Sequence, residues 1–482
     1  MVLSTGPSAQ LLLQPRMQAG GASSTWSPPD WVLVLNVVGG IALLLVLVLL
    51  LRLHAFVALI VVSMAVALAS GIPVNDIPAV LEDGMGEMLG SFAIIVALGA
   101  MLGRVMEQTG GTQVIAERLL SLFGDSRAPL AMGVTALIVG IPLFPDVGFI
   151  LLLPLIYAVA ARSGRSLISI ALPAQGGLAM LNAVLPPHPG PVAAGELFGV
   201  DLGWITIMGV LCGLPAWFLG SYLFGKWVGD RNVTPVPQQL SREVAQRDAA
   251  EGQDRPAPSL PLTVLLILLP VVLSLLKTFS DVFLPPGTLR DVFAFIGDPI
   301  SALTLSTLLA FWGLARRSGF TLDAIEKAAS ASLGPVAMVL LVTGAGGVFG
   351  AVLEKTHAGE ALAEAIGSAA MPAIVLAFLV SAALRVALGS KTVAIVSTAP
   401  VISPFIEAAH LSQPQVALVV IAVAGGGTVL SHVNDSGFWL FNRYLDLSVK
   451  QTLKSWTLME TIMGGLMFLF AVVINVGIAA FG

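Results

Sequence analysis

Apolar runs long enough to cross a bilayer follow one another along nearly the whole chain, at 31–51, 54–72, 88–106, 166–200, 203–228, 262–284, 294–315, 334–353, 414–446 and 456–481. A transmembrane helix takes about 20 apolar residues. Only 11% of the 482 residues are charged, against roughly 25% in a soluble protein, so no soluble surface can be built. The fold class read from this is an all-α polytopic membrane protein, since helices satisfy their own backbone groups in lipid. A net charge of −5 without a basic cluster leaves no electrostatic footprint for nucleic acid. One cysteine, Cys212, excludes a disulfide framework or a CxxC metal site, and no cofactor or metal is expected. Residues 1–30 read as an N-terminal tail, because they lack an unbroken apolar stretch beside a cleavage site.

Two further apolar stretches, 128–161 and 371–410, are too long for one simple span. Each is interrupted, by GIPLFPD at 140–146 and by LGSKT at 388–392. Both read as re-entrant helical hairpins that enter and leave on one side, with two extra full spans each as the alternative. Residues 229–260 are polar and rich in Pro and Gln, as a solvated cytoplasmic linker would be. They separate a first transmembrane repeat, 31–228, from a second, 261–482. Segment 99–118 aligns on 346–365 with identities at Gly99, Gly103, Val105, Glu107, Thr109, Ala116 and Glu117. Each half is expected to hold about five transmembrane helices, one hairpin and one broken helix (166–200 and 414–446). That count requires the two repeats to have opposite orientation. Threading the spans with both termini periplasmic puts most Lys and Arg inside, as the positive-inside rule asks. Segment 71–87, with Asp76, Glu82, Asp83 and Glu87 and no Lys or Arg, reads as an external loop.

Polar groups at membrane depth are expensive and mark function by default. The first half supplies Asp146 in the hairpin, then Asn182 and His188 around the strip PPHPGP, where successive prolines cannot stay helical. The second half supplies Arg385, Ser390, Lys391 and Thr392 at its hairpin. Ser431, His432, Asn434, Asp435 and Ser436 lie at its helix break. The bland alternatives are local. Asp146 caps the second hairpin helix, His188 bonds a freed carbonyl, and His432 pairs with Asp435. Arg385 pairs with Glu354 or Asp435, and Lys391 reaches external water. Arg104, Glu107 and Glu117 read as a solvated helix end.

Taken together, the cations Arg385 and Lys391 beside half-helix N-termini suit a carboxylate. Asn434, Ser436, Ser390 and Thr392 suit hydroxyls, and Asn182 and His188 complete the expected substrate set. Asp146, His188, His432 and Asp435 are the titratable candidates for a coupled proton. A membrane-embedded hydrolase built on Ser431, His432 and Asp435 is the alternative from another class. Against it, neither HExxH nor GxSxG occurs.

The motifs at 140–160 (GIPLFPDVGFILLLPLIYAVA), 185–204 (LPPHPGPVAAGELFGVDLGW), 384–404 (LRVALGSKTVAIVSTAPVISP) and 430–449 (LSHVNDSGFWLFNRYLDLSV) resemble the gluconate permease family of bacterial inner-membrane symporters. That family is similar to the wider ion transporter superfamily, with paired hairpins and an elevator mechanism. The resemblance implies proton symport of gluconate or a related sugar acid by a homodimer in the inner membrane. The alternative kept open is sodium or proton coupling to another carboxylate, such as a dicarboxylate. The family commonly reads Gly-Ser-Ala-Thr where this chain has Gly389-Ser390-Lys391-Thr392. The added cation would tighten anion binding or shift preference to another acid.

Overall fold

A computed structural model describes residues 28–124, 127–238, 242, 258–358, 361, 373–433 and 435–481. All regular structure among them is helical. The first half runs α1 (Asp30–Leu45, continued by a π segment, Val46–Leu50), α2 (Ala55–Ala69), α3 (Ile77–Gln108), α4 (Gly111–Phe123), α5 (Ala128–Val139), α6 (Pro145–Ser163), α7 (Leu167–Val184) and α8 (Pro189–Phe198). It ends with α9 (Leu202–Trp217), which passes through a π segment into α10 (Phe224–Arg231).

The second half opens with α11 (Leu260–Phe283), α12 (Thr288–Gly297), α13 (Pro299–Leu309), α14 (Leu322–Ala331) and α15 (Gly334–Lys355). It continues with α16 (Ala373–Leu388), α17 (Lys391–Ala409), α18 (Gln413–Thr428) and α19 (Ser436–Tyr444). A short turn, Val449–Thr452, and a π segment, Leu453–Thr457, lead into α20 (Leu458–Phe481). The same order therefore recurs in both halves: a long helix, a hairpin, a helix broken near its middle, and a long closing helix.

Backbone chemistry explains the breaks. α5 has 12 residues, roughly 18 Å at 1.5 Å each, too short to cross about 30 Å of hydrocarbon. It stops at Gly140, and α6 restarts with Pro145 in its first turn, where a missing N–H costs nothing. α7 gives way to extended backbone at Leu185, and His188 is the extended N-cap of α8, as the proline strip requires. In the second half, Gly389 takes a positive φ of 74° between α16 and α17, a conformation open to glycine at no steric cost.

α7 and α18 form the centre, and every residue of α7 is buried. α5, α9 and α18 pack against α7, while α16, α20 and α9 pack against α18. α3 and α15 pack together through glycine. A Cβ on Gly84 would lie 2.6 Å from Ala351 Cβ, and one on Gly347 would lie 2.4 Å from Met88 Cβ. Small residues of this kind let membrane helices approach closely. The repeated Glu-x-Thr also falls at matching helix ends: Thr109 and Thr356 cap α3 and α15 and donate to Val105 O and Val352 O at 2.9 and 2.8 Å.

The structure revises several sequence expectations. Segment 71–87 is a loop only at its start, since α3 begins at Ile77 and carries Glu82, Asp83 and Glu87 on exposed turns. The run 294–315 is crossed by a 62° bend between Gly297 and Pro299. Seven helices among the described residues are long and apolar enough to cross a membrane, or eight with that bent pair. Hydropathy suggests more because it averages over the break within 414–446 and because the apolar helices in 31–51 and 54–72 are shorter than 18 residues. α4, which carries Glu117, is a separate helix where sequence suggested a helix end, and α14 is a further short helix packed on α3. Residues 229–231 of the expected linker still belong to α10, and 371–372 and Asn434 lie outside the described residues.

Candidate functional site

A cavity of about 600 Å³ lies where the hairpins and broken helices meet, well within the size range of small-molecule sites. One stripe of α7, Gln175, Ala179 and Asn182, faces it, and so does one stripe of α3, Ala100, Gly103, Arg104 and Glu107. Both stripes follow the i, i+3, i+4, i+7 spacing of a single helix face. The first hairpin contributes 142–147, including Asp146. The second contributes Arg385, Ser390, Lys391 and Thr392, and the second helix break adds Asp435, Ser436 and Gly437. Trp456 and Glu460 come from the closing segment.

The ionic groups are paired across elements. Arg385, 1% exposed, donates to Asp435 Oδ2 at 2.5 Å and also to the Gly389 carbonyl. Asp435 is the N-cap of α19 and accepts from Gly437 N at 3.2 Å. It also accepts from the Ser431 hydroxyl, which in turn accepts from Trp456 Nε1 at 2.7 Å. This chain of contacts ties the second hairpin, the second break and the closing segment together. Lys391 Nζ donates to Ala179 O at 3.0 Å and stands 3.0 Å from Glu460 Oε2. At the rim, Arg104 Nη1 contacts both oxygens of Glu107 at 2.9 and 2.8 Å.

Asp146 differs. It makes no capping bond to α6; instead its Oδ2 accepts from Ser436 Oγ at 3.3 Å. Every cation lining the cavity thus has a carboxylate, and among the described residues Asp146 is the carboxylate left without a cation. Ser390 caps α17 by accepting from Val393 N at 3.4 Å, which sets that helix's N-terminus and Lys391 on the same wall. The result is a positive wall from the second hairpin facing a carboxylate from the first.

Of the sequence candidates, the cavity gathers Asp146, Asn182, Arg385, Ser390, Lys391, Thr392, Asp435 and Ser436. His188 is buried outside its lining. Its Nε2 lies 2.9 Å from Gly140 O and its Nδ1 lies 3.3 Å from Asn182 Nδ2, a pairing that suits a neutral ring donating through Nε2. His432 turns away and bonds Leu430 O through Nδ1 at 2.8 Å. Arg385 pairs with Asp435 and not with Glu354, whose helix end lines a second cavity. That one, about 760 Å³, is lined among the described residues by Glu87, Glu196, Glu354, His357 and Glu407 without Lys or Arg, which disfavours an anion.

Sequence reasoning missed Glu460, although it is an acidic residue near the start of the apolar run 456–481. It also passed over Gln175, in a run read only for its proline break, and took Arg104 and Glu107 for a solvated end.

A model of the GntP family of permeases matches residues 31–477. The chain belongs to the GntP permease family. It is 39% identical over 433 residues to the low-affinity gluconate transporter of Escherichia coli strain K12, covering 90% of this chain and 96% of that one. It is 40% identical over 443 residues to a gluconate permease of Pseudomonas aeruginosa, covering 91% and 97%. Against the Gnt-II system L-idonate transporter of E. coli K12 the identity is 33% over 440 residues. The fold resembles two solved transporter structures. The YdaH transporter of Alcanivorax borkumensis gives a TM-score of 0.56 at 16% identity, over 88% of this chain and 99% of that one. MtrF of Neisseria gonorrhoeae gives 0.58 at 15%, over 87% and 94%.

This GntP family member is a multi-pass membrane permease, not an enzyme. The hydrolase alternative falls with that assignment. The Ser431 hydroxyl is also spent on Asp435 and Trp456, with His432 bonded elsewhere.

Proposed function

We propose that this permease carries gluconate or a related sugar acid across the bacterial inner membrane together with protons. The observation that carries this reading is the charge pattern of the cavity. Arg385, Lys391 and the N-terminus of α17 form a wall suited to a carboxylate, and Ser390, Thr392, Ser436 and Asn182 offer hydroxyl and amide groups for a polyol. The cations are already matched by Asp435, Glu460 and Glu107, with Asp146 in excess. Adding a substrate anion to that set is costly unless a positive charge enters with it. A proton on one of the carboxylates supplies the charge.

The recurrence of long helix, hairpin, broken helix and closing helix in both halves supports two inverted repeats, 31–228 and 261–482, joined by a cytoplasmic linker. In that topology the Arg104–Glu107 rim is cytoplasmic, so the cavity opens inward and both termini are periplasmic. Transport then proceeds as an elevator. The hairpins and broken helices move as a unit against the early spans 31–72 and 262–315, which also form the homodimer face.

A thermal-shift screen of the purified permease over sugar acids, at two pH values and with or without sodium, tests the substrate class. Ligand at 100 times its Kd stabilises by about 2.7 kcal/mol through mass action. Gluconate or a close relative is expected to raise the midpoint, more strongly at the lower pH and independently of sodium. A screen in which no sugar acid shifts the midpoint would contradict the reading.

A further inference from the structure

Among the described residues, Glu460 is the one cavity-lining carboxylate that is 0% exposed. Neither of its oxygens accepts a well-formed hydrogen bond among the described residues. What holds it is charge: Lys391 Nζ at 3.0 Å. The ammonium has three donors. One goes to Ala179 O and one faces Glu460, which leaves a third on a residue that lines the cavity.

The surroundings isolate this pair. α7, α9, α18 and the π segment Phe218–Leu223 pack against α20 and contain no Asp, Glu, His, Lys or Arg, and the π segment Leu453–Thr457 that leads into it carries Lys454, which is exposed. The other charged groups facing Glu460 are Arg385 from α16 and Asp435 from the second break, and these are bonded to each other. Asp146 sits across the cavity on Ser436. Lys391 is therefore the cation in contact with Glu460 among the described residues. Replacing that partner strands a buried charge at a cost of several kcal/mol, and the group takes a proton instead.

We propose that Glu460 is the proton-coupling carboxylate, and that the substrate carboxylate displaces it from Lys391. This deepens the symport reading above and rests on it. In the empty site Lys391 neutralises Glu460. When the substrate anion binds Lys391, Glu460 takes one proton from the aqueous phase reached through the cavity, becoming a neutral carboxylic acid. Substrate and proton enter together and the net charge of the site is unchanged. Release reverses both steps, as the leaving anion frees Lys391 to reclaim Glu460, which gives up its proton. The geometry also explains why the pair spans the hairpin tip and the closing helix, since the exchange loosens one ionic tie between them.

The test is gluconate binding to full-length permease by calorimetry in buffers of different ionisation enthalpy, across a pH series. Wild type should take up about one proton per gluconate, with Kd rising up to about tenfold per pH unit above the coupling range. Glu460→Gln should bind gluconate with a Kd flat in pH and with no proton uptake. In proteoliposomes it should exchange gluconate yet lose accumulation driven by a pH gradient. Lys391→Met provides a second reading if Glu460→Gln does not fold. There Glu460 is protonated before ligand arrives, so residual binding should be weak and without proton uptake. Either variant showing wild-type proton uptake per gluconate overturns the proposal while leaving symport intact. A wild type that binds gluconate with no proton uptake overturns both.

Discussion

Ser436 Oγ donates to Asp146 Oδ2 at 3.3 Å across 290 positions of sequence, joining the tip of the first hairpin to the break of the second broken helix. The reverse crossing is made by Lys391, whose ammonium reaches Ala179 O on α7 at 3.0 Å. Each hairpin thus touches the other half's broken helix, and the cavity lies between the two contacts. This mutual bracing turns four local interruptions into one site.

The Arg385–Asp435 pair should prove structural as well as functional. Removing one member of a buried pair costs about 3–5 kcal/mol, because the other is left charged and unpaired. Arg385→Ala is expected to lower the thermal midpoint and abolish uptake. Adding Asp435→Ala should restore part of the stability and none of the uptake. Full additivity of the two losses in that double-mutant cycle would show that the pair is not coupled.

Gly103 should be sensitive to a single methyl group. A Cβ there would stand 2.1 Å from the Pro142 carbonyl oxygen of the first hairpin, so the tip must move. Overpacking of this kind costs about 1–3 kcal/mol. Gly103→Ala is expected to reduce both stability and transport rate, read by thermal unfolding and initial uptake. An unchanged rate would mean that the tip is free to shift away from α3.

His188 should act as a brace between the first hairpin and the first broken helix. His188→Gln keeps a donor for Gly140 O and is expected to retain the pH dependence of uptake. His188→Ala orphans the Gly140 carbonyl and the Asn182 amide, at about 1–3 kcal/mol for a buried polar group. Loss of pH dependence in His188→Gln alone would return His188 to the coupling machinery.

Asp201 lies in the loop between α8 and α9, outside the membrane-spanning segments, and links that loop to α11 of the other half. Burial alone would raise its carboxyl pKa. The Thr278 hydroxyl, the Lys277 ammonium and the Gly203 N–H, at 2.7, 2.9 and 2.8 Å, outweigh that and hold it below the usual carboxylate range. A depressed folded pKa gives stability that is present above the unfolded value, about 3.9, and lost as pH falls through the folded one. The midpoint gap between wild type and Asp201→Asn should therefore be full at neutral pH and close in acid below that range. A gap that widens on acidification would contradict the assignment.

Much of the site was legible because charge is scarce in this chain. Asp146, Arg385, Lys391 and Asp435 stood out against apolar surroundings, and the structure brings all four to one cavity. PPHPGP announced its own break, since proline chemistry is local. What stayed hidden depends on distance. Nothing in sequence says that Lys391 meets Glu460 or that Ser431 accepts from Trp456, because those pairs form only when the closing segment packs against the second half's hairpin and helix break. His188 was misleading for the same reason: its burial and its two partners come from packing. The helical start of α3 was missed because Glu82, Asp83 and Glu87 lower hydropathy without breaking a helix that emerges from the membrane.

The most direct test of the account is uptake of labelled gluconate by purified permease in proteoliposomes, with an imposed pH gradient as the sole driving force. The account requires accumulation above equilibrium when the outside is acidic, collapse of that accumulation by a protonophore, and indifference to a sodium gradient. Equilibration without accumulation, or accumulation that follows sodium and ignores pH, would contradict it.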